Sequence, residues 1–531
     1  MTAPWWQGAA VYQVYVRSFC DSNGDGQGDL PGVISTLDYI ASLGVDAIWL
    51  SPIHPSPNRD WGYDVSDYEG VHPDYGTLAD FEKLLDEAHG RGLKVLLDEV
   101  LCHTSDEHAW FAESQIRDGE KADWYVWADP KPDGTAPNNW LSAFAGPAWA
   151  YKPTRRQYYH HKFLRQQPKV NWHNAAARKA ALDVLDLWLA RGADGFRLDV
   201  ANAYLHDAAL TDNPPVPMGE RNALNWEHAP NLQEHLHDSN LAENIECLDA
   251  IRRTVDRHKD RFVFGEFSEL AERSGCYAAP DEGLHSGYSF PMLLQRKLDP
   301  QFFRDYFALL AKHPRHWPCV SFSNHDVMRT VSRFGGRNAS PGLAKMLLAL
   351  LFSMKGTVLM YQGEELGLPE ADLRRDQLRD PVGDLYYPQH KGRDGCRTPM
   401  PWDANEPNFG FTNGKPWLPL SPQHEKYAVS KQEELPFSTL AFSRHALSAR
   451  RSSEALRLGD IQVIDVPLPL LAFYRITANE RVLAVFNMSE QPQEFWVGAP
   501  LPEPPLFATV EAKTDDMSLK LGRYAAWAGR I

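Results

Sequence analysis

Short apolar runs alternate with helix-length amphipathic stretches stopped by glycine, and few folds accommodate that alternation. Val11–Val16, Ala47–Leu50 and Lys94–Asp98 read as strands; Leu30–Leu43 and Leu78–Arg91 read as helices ending at Gly44 and Gly92. The pattern resumes with a helix over Ala176–Arg191 and strands at Asp194–Leu198, Phe262–Glu266, His285–Ser289, Cys319–Phe322 and Val358–Tyr361. Such alternation signals parallel strands joined by crossover helices. Eight strands predict an α/β fold, a (β/α)8 barrel of the TIM type.

At 531 residues the chain exceeds a barrel of roughly 250 residues, so it carries more. Residues 104–170 are rich in Trp, Tyr, Pro and Gly without sustained periodicity, and read as a subdomain inserted after the third strand. Beyond Ser452 long helical patterns give way to strand alternation. Leu471–Ile476 and Val482–Met488 read there as a hairpin within an antiparallel β-sandwich. The expected organisation is barrel (1–103 and 171–451), insertion (104–170) and C-terminal sandwich (452–531).

A formal net charge of −16 argues against a nucleic-acid partner, which would require a basic patch. The six cysteines, Cys20, Cys102, Cys247, Cys276, Cys319 and Cys396, form no Cys-x-x-Cys pair and read as free thiols of a reducing compartment. No run reaches membrane-spanning length and no signal peptide is recognisable. The expectation is a cytoplasmic enzyme, monomeric or homodimeric, without a membrane or nucleic-acid partner.

In a parallel barrel the residues that do chemistry collect where strands end, because the βα loops share one face. Asp64 follows the second strand; Asp98 and His103 close the third; Arg197 and Asp199 close the fourth. Glu266 closes the fifth, and His325 and Asp326 follow the seventh. A pair of carboxylates on neighbouring strands suits glycoside hydrolysis, which needs one on each side of the sugar. Arg197 lies two residues before Asp199 and points to the same side, so its charge is expected to keep Asp199 ionised. Glu266 stands in the apolar run Phe-Val-Phe-Gly-Glu-Phe, where desolvation is expected to raise its pKa towards that of a proton donor.

Asp98 with His103, Gly195-Phe-Arg-Leu-Asp199, Gly265-Glu266 and Ser323-Asn-His-Asp326 resemble, in order and spacing, the four short conserved regions of glycoside hydrolase family 13, the α-amylase superfamily. Gly62-Tyr-Asp64 and Lys391-Gly-Arg-Asp-Gly-Cys-Arg-Thr-Pro-Met-Pro-Trp402 resemble its α-glucosidase and oligo-1,6-glucosidase branch. The resemblance implies a retaining, exo-acting α-glucosidase for short α-glucosides, with transfer to another acceptor, or sucrose or trehalose conversion, as the alternative. It implies Asp199 as nucleophile, Glu266 as general acid/base and Asp326 as transition-state stabiliser. His103 and His325 would donate hydrogen bonds to the bound glucose. Asp64 and Arg397 would pair and grip its non-reducing end. Tyr63, Phe144 and Phe163 would form aromatic walls. Val200, next to the nucleophile, inclines the expected linkage towards α-1,6.

Asp21-Ser-Asn-Gly-Asp-Gly-Gln-Gly-Asp29 places oxygen donors at alternate positions, as in the first part of an EF-hand loop, with Gly32 where the bidentate Glu would stand. By resemblance this loop holds a structural divalent cation, Ca2+ in preference to Mg2+, on Asp21, Asn23, Asp25, the Gln27 carbonyl and Asp29. No organic cofactor is expected. Two positions depart from the relatives. Cys102 stands where many have Asn, and Lys169 where the oligo-1,6-glucosidase group has Asp.

Overall fold

The computed structural model describes residues 3–217, 229–268, 278–279, 282–336, 339–498, 500–501, 504–515 and 517–531. Cys276 lies outside them, and so does part of the loop from Asp207 to Asn240. The other five cysteines are unpaired.

Eight strands form the centre: β1 (Ala10–Val14), β2 (Ala47–Leu50), β3 (Lys94–Glu99), β4 (Gly195–Leu198), β5 (Phe262–Phe267), β6 (Ser286–Ser289), β7 (Cys319–Ser321) and β8 (Thr357–Tyr361). They pair in parallel in chain order, β1 also pairing with β8, so the sheet curls into a nearly closed barrel. The remaining seam lies between β6 and β7. There the Ser286 hydroxyl donates to the Trp317 carbonyl at 2.6 Å and lies 3.2 Å from Cys319 Sγ.

The two-residue period of a strand decides what enters the barrel. Leu96, Phe262, Phe264 and Leu359 meet inside with Trp49, while Val95, Leu97, Phe196, Leu198 and Val263 face the surrounding helices. Arg197, between Phe196 and Leu198, therefore points inward, as do Asp98 and Glu266. Gly195 (φ +149°) is required by the close approach of β4 to β5: a Cβ there would lie 1.7 Å from the Phe262 carbonyl oxygen.

The helices largely follow their expected starts and stops. Thr77 and Asp80 form a capping box on Leu78–Gly90, and Asn174 caps Ala175–Ala190. The single helix expected over Leu30–Leu43 is instead two, Leu30–Ser35 and Leu37–Leu43. At the junction the Thr36 hydroxyl bonds the Gly32 and Val33 carbonyls and its own backbone leaves helical geometry, a local competition typical of Thr. Gly44 ends the second helix at φ +86°.

Between β3 and β4 the chain builds a three-stranded antiparallel sheet, Trp127–Ala128, Gln157–His160 and Trp149–Lys152, over a small core containing Trp140 and Trp149. Bridges between His103 and Lys169 and between Tyr125 and Val170 fasten its two ends together. Near the C-terminus a short helix, Glu454–Leu458, precedes a five-stranded and a three-stranded antiparallel sheet. The hairpin runs Leu470–Ile476 to Arg481–Asn487. Leu483, Val485 and Trp527 of the larger sheet share a core with Leu519 and Leu521 of the smaller, so the sheets pack face to face. No helix among the described residues is long and apolar enough to cross a membrane.

Candidate active site

One buried guanidinium organises the carboxyl groups at the strand ends. Arg197 Nη1 donates to Asp98 at 2.7 Å and Asp199 at 2.8 Å, while Nη2 lies 2.5 Å from Glu266 Oε1 and 3.1 Å from the Tyr288 hydroxyl. Tyr288 donates to Glu266 at 3.0 Å, and Tyr63 and Trp49 donate to Asp98. Val200 N donates to Glu266 Oε2 at 3.2 Å. To present that N–H, Val200 adopts φ +44°, a costly conformation for a β-branched residue. The turn behind Asp199 thus also holds the Glu266 carboxyl.

Sharing one positive charge among three carboxylates has a consequence that pairwise reasoning misses. Burial pushes Asp199 up to about 7, because Arg197 opposes it only partly and Asp98 and Asp326 add repulsion. Burial likewise pushes Glu266 to about 7 and Asp98 to about 6. Arg197 therefore does not by itself keep Asp199 fully ionised at neutral pH, contrary to the expectation from their spacing. Asp326 behaves differently. Burial opposes its ionisation, but Arg393, Arg397 and Arg197 together hold it well below the usual carboxylate range. Burial and the nearby arginines keep His325 neutral, so the two arginine bonds to Asp326, 2.9 Å from Arg397 and 3.1 Å from Arg393, carry the effect.

A cleft of about 580 Å³ opens over these groups, and Tyr63, His103, Phe144, Phe163, Val200 and the three carboxyl residues Asp199, Glu266 and Asp326 line it. Arg197 and His325 lie beneath that surface, both fully buried. Gln13 donates to His325 Nδ1 at 2.8 Å, which leaves the ring proton on Nε2, 3.1 Å from Asp326. His103 Nε2 bonds the Tyr63 carbonyl at 3.0 Å. Gln167 Nε2 lies 3.2 Å from the same nitrogen, and Nδ1 is buried away from solvent. Phe144 and Phe163 meet edge to face at 5.7 Å.

The expected pairing of Asp64 with Arg397 does not form. Asp64 is fully buried and accepts from Ser56 Oγ and the backbone N–H groups of Arg59 and Asp60, closing its own loop; burial pushes it to about 6. Arg397 bonds Asp326 and the His325 carbonyl. The cross-cleft pair is Asp60 with Arg393, at 2.6 Å, and Arg393 is also held by Asp380 at 2.8 Å. Sequence reasoning missed Asp60, Arg393 and Tyr288. The first two lie four residues before the chosen ones, Arg393 within the same motif and Asp60 just ahead of Gly62-Tyr-Asp64. Tyr288 lies within β6, where the inward-facing period marks it.

In the Asp21–Asp29 loop, Asp21, Asn23 and Asp25 each accept from backbone N–H groups two or more residues ahead. Gly26 (φ +95°) packs against the Lys415 carbonyl, where a Cβ would lie at 1.9 Å. Asp29 closes the loop. Its carboxylate caps Leu30–Ser35 through Gly32 N at 2.6 Å, and its other oxygen accepts from Ser22. Among the described residues no three His, Cys, Asp or Glu side chains converge as a metal cage. Asn23 Oδ1 and Asp25 Oδ2 keep lone pairs, and with the carboxylates of Asp21 and Asp29 and the Gln27 carbonyl the loop offers the all-oxygen donor set that a hard cation takes.

Cys102 and Lys169, the two departures noted in the sequence, meet. Lys169 Nζ lies 3.4 Å from Cys102 Sγ, and both bond the Ala203 carbonyl, four residues past Asp199. The pair clamps the returning end of the insertion against the turn that follows Asp199.

The alpha amylase catalytic-domain model matches residues 13–459. The chain is 48% identical over 501 residues to a probable alpha-glucosidase of Rhizobium meliloti (strain 1021), covering 92% of this chain and 90% of that one. It is 36% identical over 536 residues to an oligo-1,6-glucosidase of Heyndrickxia coagulans, covering 93% and 94%. The crystal structure of the alpha-glucosyl transfer enzyme XgtA superposes with a TM-score of 0.95 at 47% identity, over all of both chains. With barrel, carboxyl cluster and sequence in agreement, the chain belongs to the α-amylase family of enzymes, glycoside hydrolase family 13.

Proposed function

We propose that the protein is a retaining, exo-acting α-glucosidase that works in the cytoplasm on disaccharides and short oligosaccharides, releasing α-glucose from the non-reducing end. The observation that carries this reading is a single guanidinium bonded to both Asp199 and Glu266 beneath a cleft closed by the Asp60–Arg393 pair. Bridging by one Arg197 favours adjacent carboxyl groups, as in retaining enzymes (roughly 5–5.5 Å), over the wider gap that admits a water in inverting ones. Asp199 attacks the anomeric carbon while Glu266 protonates the leaving oxygen; Glu266 then takes a proton from the incoming water that releases α-glucose. Asp326, held anionic by Arg393 and Arg397, stabilises the positive charge that develops on the ring. The ion pair at the closed end admits a chain terminus and excludes a continuing polymer.

Val200 places methyl groups in the cleft wall beside the nucleophile, which supports acceptance of α-1,6 links. A second reading, transfer of the glucosyl group to another hydroxyl, is supported by the likeness to the glucosyl transfer enzyme. A divalent cation, Ca2+ in preference to Mg2+, on Asp21, Asn23, Asp25, the Gln27 carbonyl and Asp29 completes the proposal as a structural element.

Proton NMR of the enzyme with isomaltose and maltose at equal concentration tests the whole reading. Early α-glucose is expected, with isomaltose consumed first; new glucosides would reveal transfer. Early β-glucose would overturn the mechanism, and preferential loss of maltose would overturn the linkage argument.

A further inference from the structure

Two polar clusters line the cleft, and each is tied to a different carboxyl group. Asp60 and Arg393 join Asp326. The second runs from Glu266 through the Val200 turn to Asn202, whose amide donates to Asn240 at 2.8 Å and to Ser268 at 2.7 Å. Ser239, beside Asn240, lies 3.3 Å from Lys162 Nζ. Because Glu266 protonates the departing oxygen, the cluster connected to it borders the leaving group.

At the centre of this second cluster is Asp238. Its side chain is 1% exposed, and its carboxylate lies 3.3 Å from Lys162 Nζ and 3.0 Å from His235 Nδ1. Lys162 and His235 retain 14% and 28% of their side-chain exposure, and both reach the cleft. His235 Nε2 meets the Pro230 carbonyl at 3.1 Å, so the ring is fixed from both sides. The loop carrying Asp238 is fastened to the insertion elsewhere: Trp140 Nε1 donates to the Thr211 carbonyl, Asn139 donates to Asp212 and Asn213, and Asn138 donates to the Leu210 carbonyl. Attachment of the loop therefore does not depend on Asp238. Both ring nitrogens of His235 are taken, whereas Lys162, bonded to Asp238 and Ser239, keeps a third N–H for the cleft; what the buried carboxylate does is to aim that ammonium at the leaving-group side while offsetting its charge.

We propose that Lys162, oriented by Asp238, binds the leaving or accepting group, a neutral polyhydroxylated molecule such as a second sugar. This rests on the glucosidase reading above. The ammonium donates to hydroxyl oxygens of that sugar, and Asp238 keeps the wall from favouring an anion. Asp238 is a positioning residue, because it does not itself line the cleft.

The test compares Asp238→Asn and Lys162→Met with the parent enzyme on isomaltose, maltose and p-nitrophenyl α-glucoside, whose leaving group has no hydroxyls to bind. Losing one charge-assisted hydrogen bond to a hydroxyl should lower kcat/KM for the disaccharides roughly tenfold more than for the aryl glucoside. The double variant should lose little beyond the worse single one, because the two residues act as a unit. Equal losses on all three substrates, with or without a lower melting temperature, would assign Asp238 a structural role and overturn the inference, as would no loss. An active parent enzyme with equal losses removes this inference alone; a parent enzyme inactive on all three substrates removes the glucosidase reading and this inference with it.

Discussion

Replacing Asp199, the proposed nucleophile, should make the protein more stable, and by an amount that grows with pH. Asp199 is 6% exposed, and burial raises its carboxyl from 3.8 to about 7. A folded-state value above the unfolded one means that the contribution to stability is full below about pH 4 and is lost as pH rises through about 7. Above that pH the penalty for holding Asp199 ionised approaches about 4 kcal/mol. Asp199→Asn removes the charge yet keeps an oxygen for Arg197, and it relieves Glu266 of one repelling neighbour. Allowing for relaxation of the cluster, we expect a gain of about 1–4 kcal/mol at pH 8, and little at pH 4. Calorimetry at one scan rate should show a Tm rise of a few degrees at pH 8, with turnover reduced at least about 10⁴-fold. A variant no more stable than the parent at pH 8, or a difference independent of pH, would refute the shared-guanidinium argument. Retention of turnover would refute the nucleophile assignment.

The pH dependence of kcat/KM should be a narrow bell centred near neutrality, because Asp199 must be ionised and Glu266 protonated while burial pushes both to about 7; a plateau from pH 5 to pH 9 would count against it. Arg393→Ala leaves Asp60 without its closest cation and opens the closed end. Disaccharide kcat/KM should fall about 10²–10³-fold, by roughly 3–4 kcal/mol in transition-state stabilisation, and a loss below tenfold would return the gripping role to another residue. Chelation should lower Tm by several degrees while leaving initial rates measured below the melting range nearly unchanged; an unchanged Tm would remove the cation from the Asp21–Asp29 loop.

The barrel was legible because parallel strands buried on both faces must be apolar runs, and the crossover helices between them carry their own stop signals. Asp98, Arg197, Asp199 and Glu266 were legible for a related reason: strand period and strand end together decide which side chains enter the shared face. The loops obey no such period. Asp60 and Asp64 sit on one loop, and both are acids that could meet an arginine. What separates them is that Asp64 accepts two backbone N–H groups from Arg59 and Asp60, which turns it under the loop and leaves Asp60 facing Arg393. Arg393 and Arg397, four residues apart, divide in the same way, one reaching across to Asp60 and the other bracing Asp326 from below. Cys102 and Lys169 illustrate the opposite limit. Each is unremarkable alone and anomalous beside the family pattern, and their meaning appears only when the insertion folds back and sets the ammonium against the thiol and the Ala203 carbonyl. Contacts of this kind depend on where a long excursion of the chain returns, and local periodicity carries no record of that.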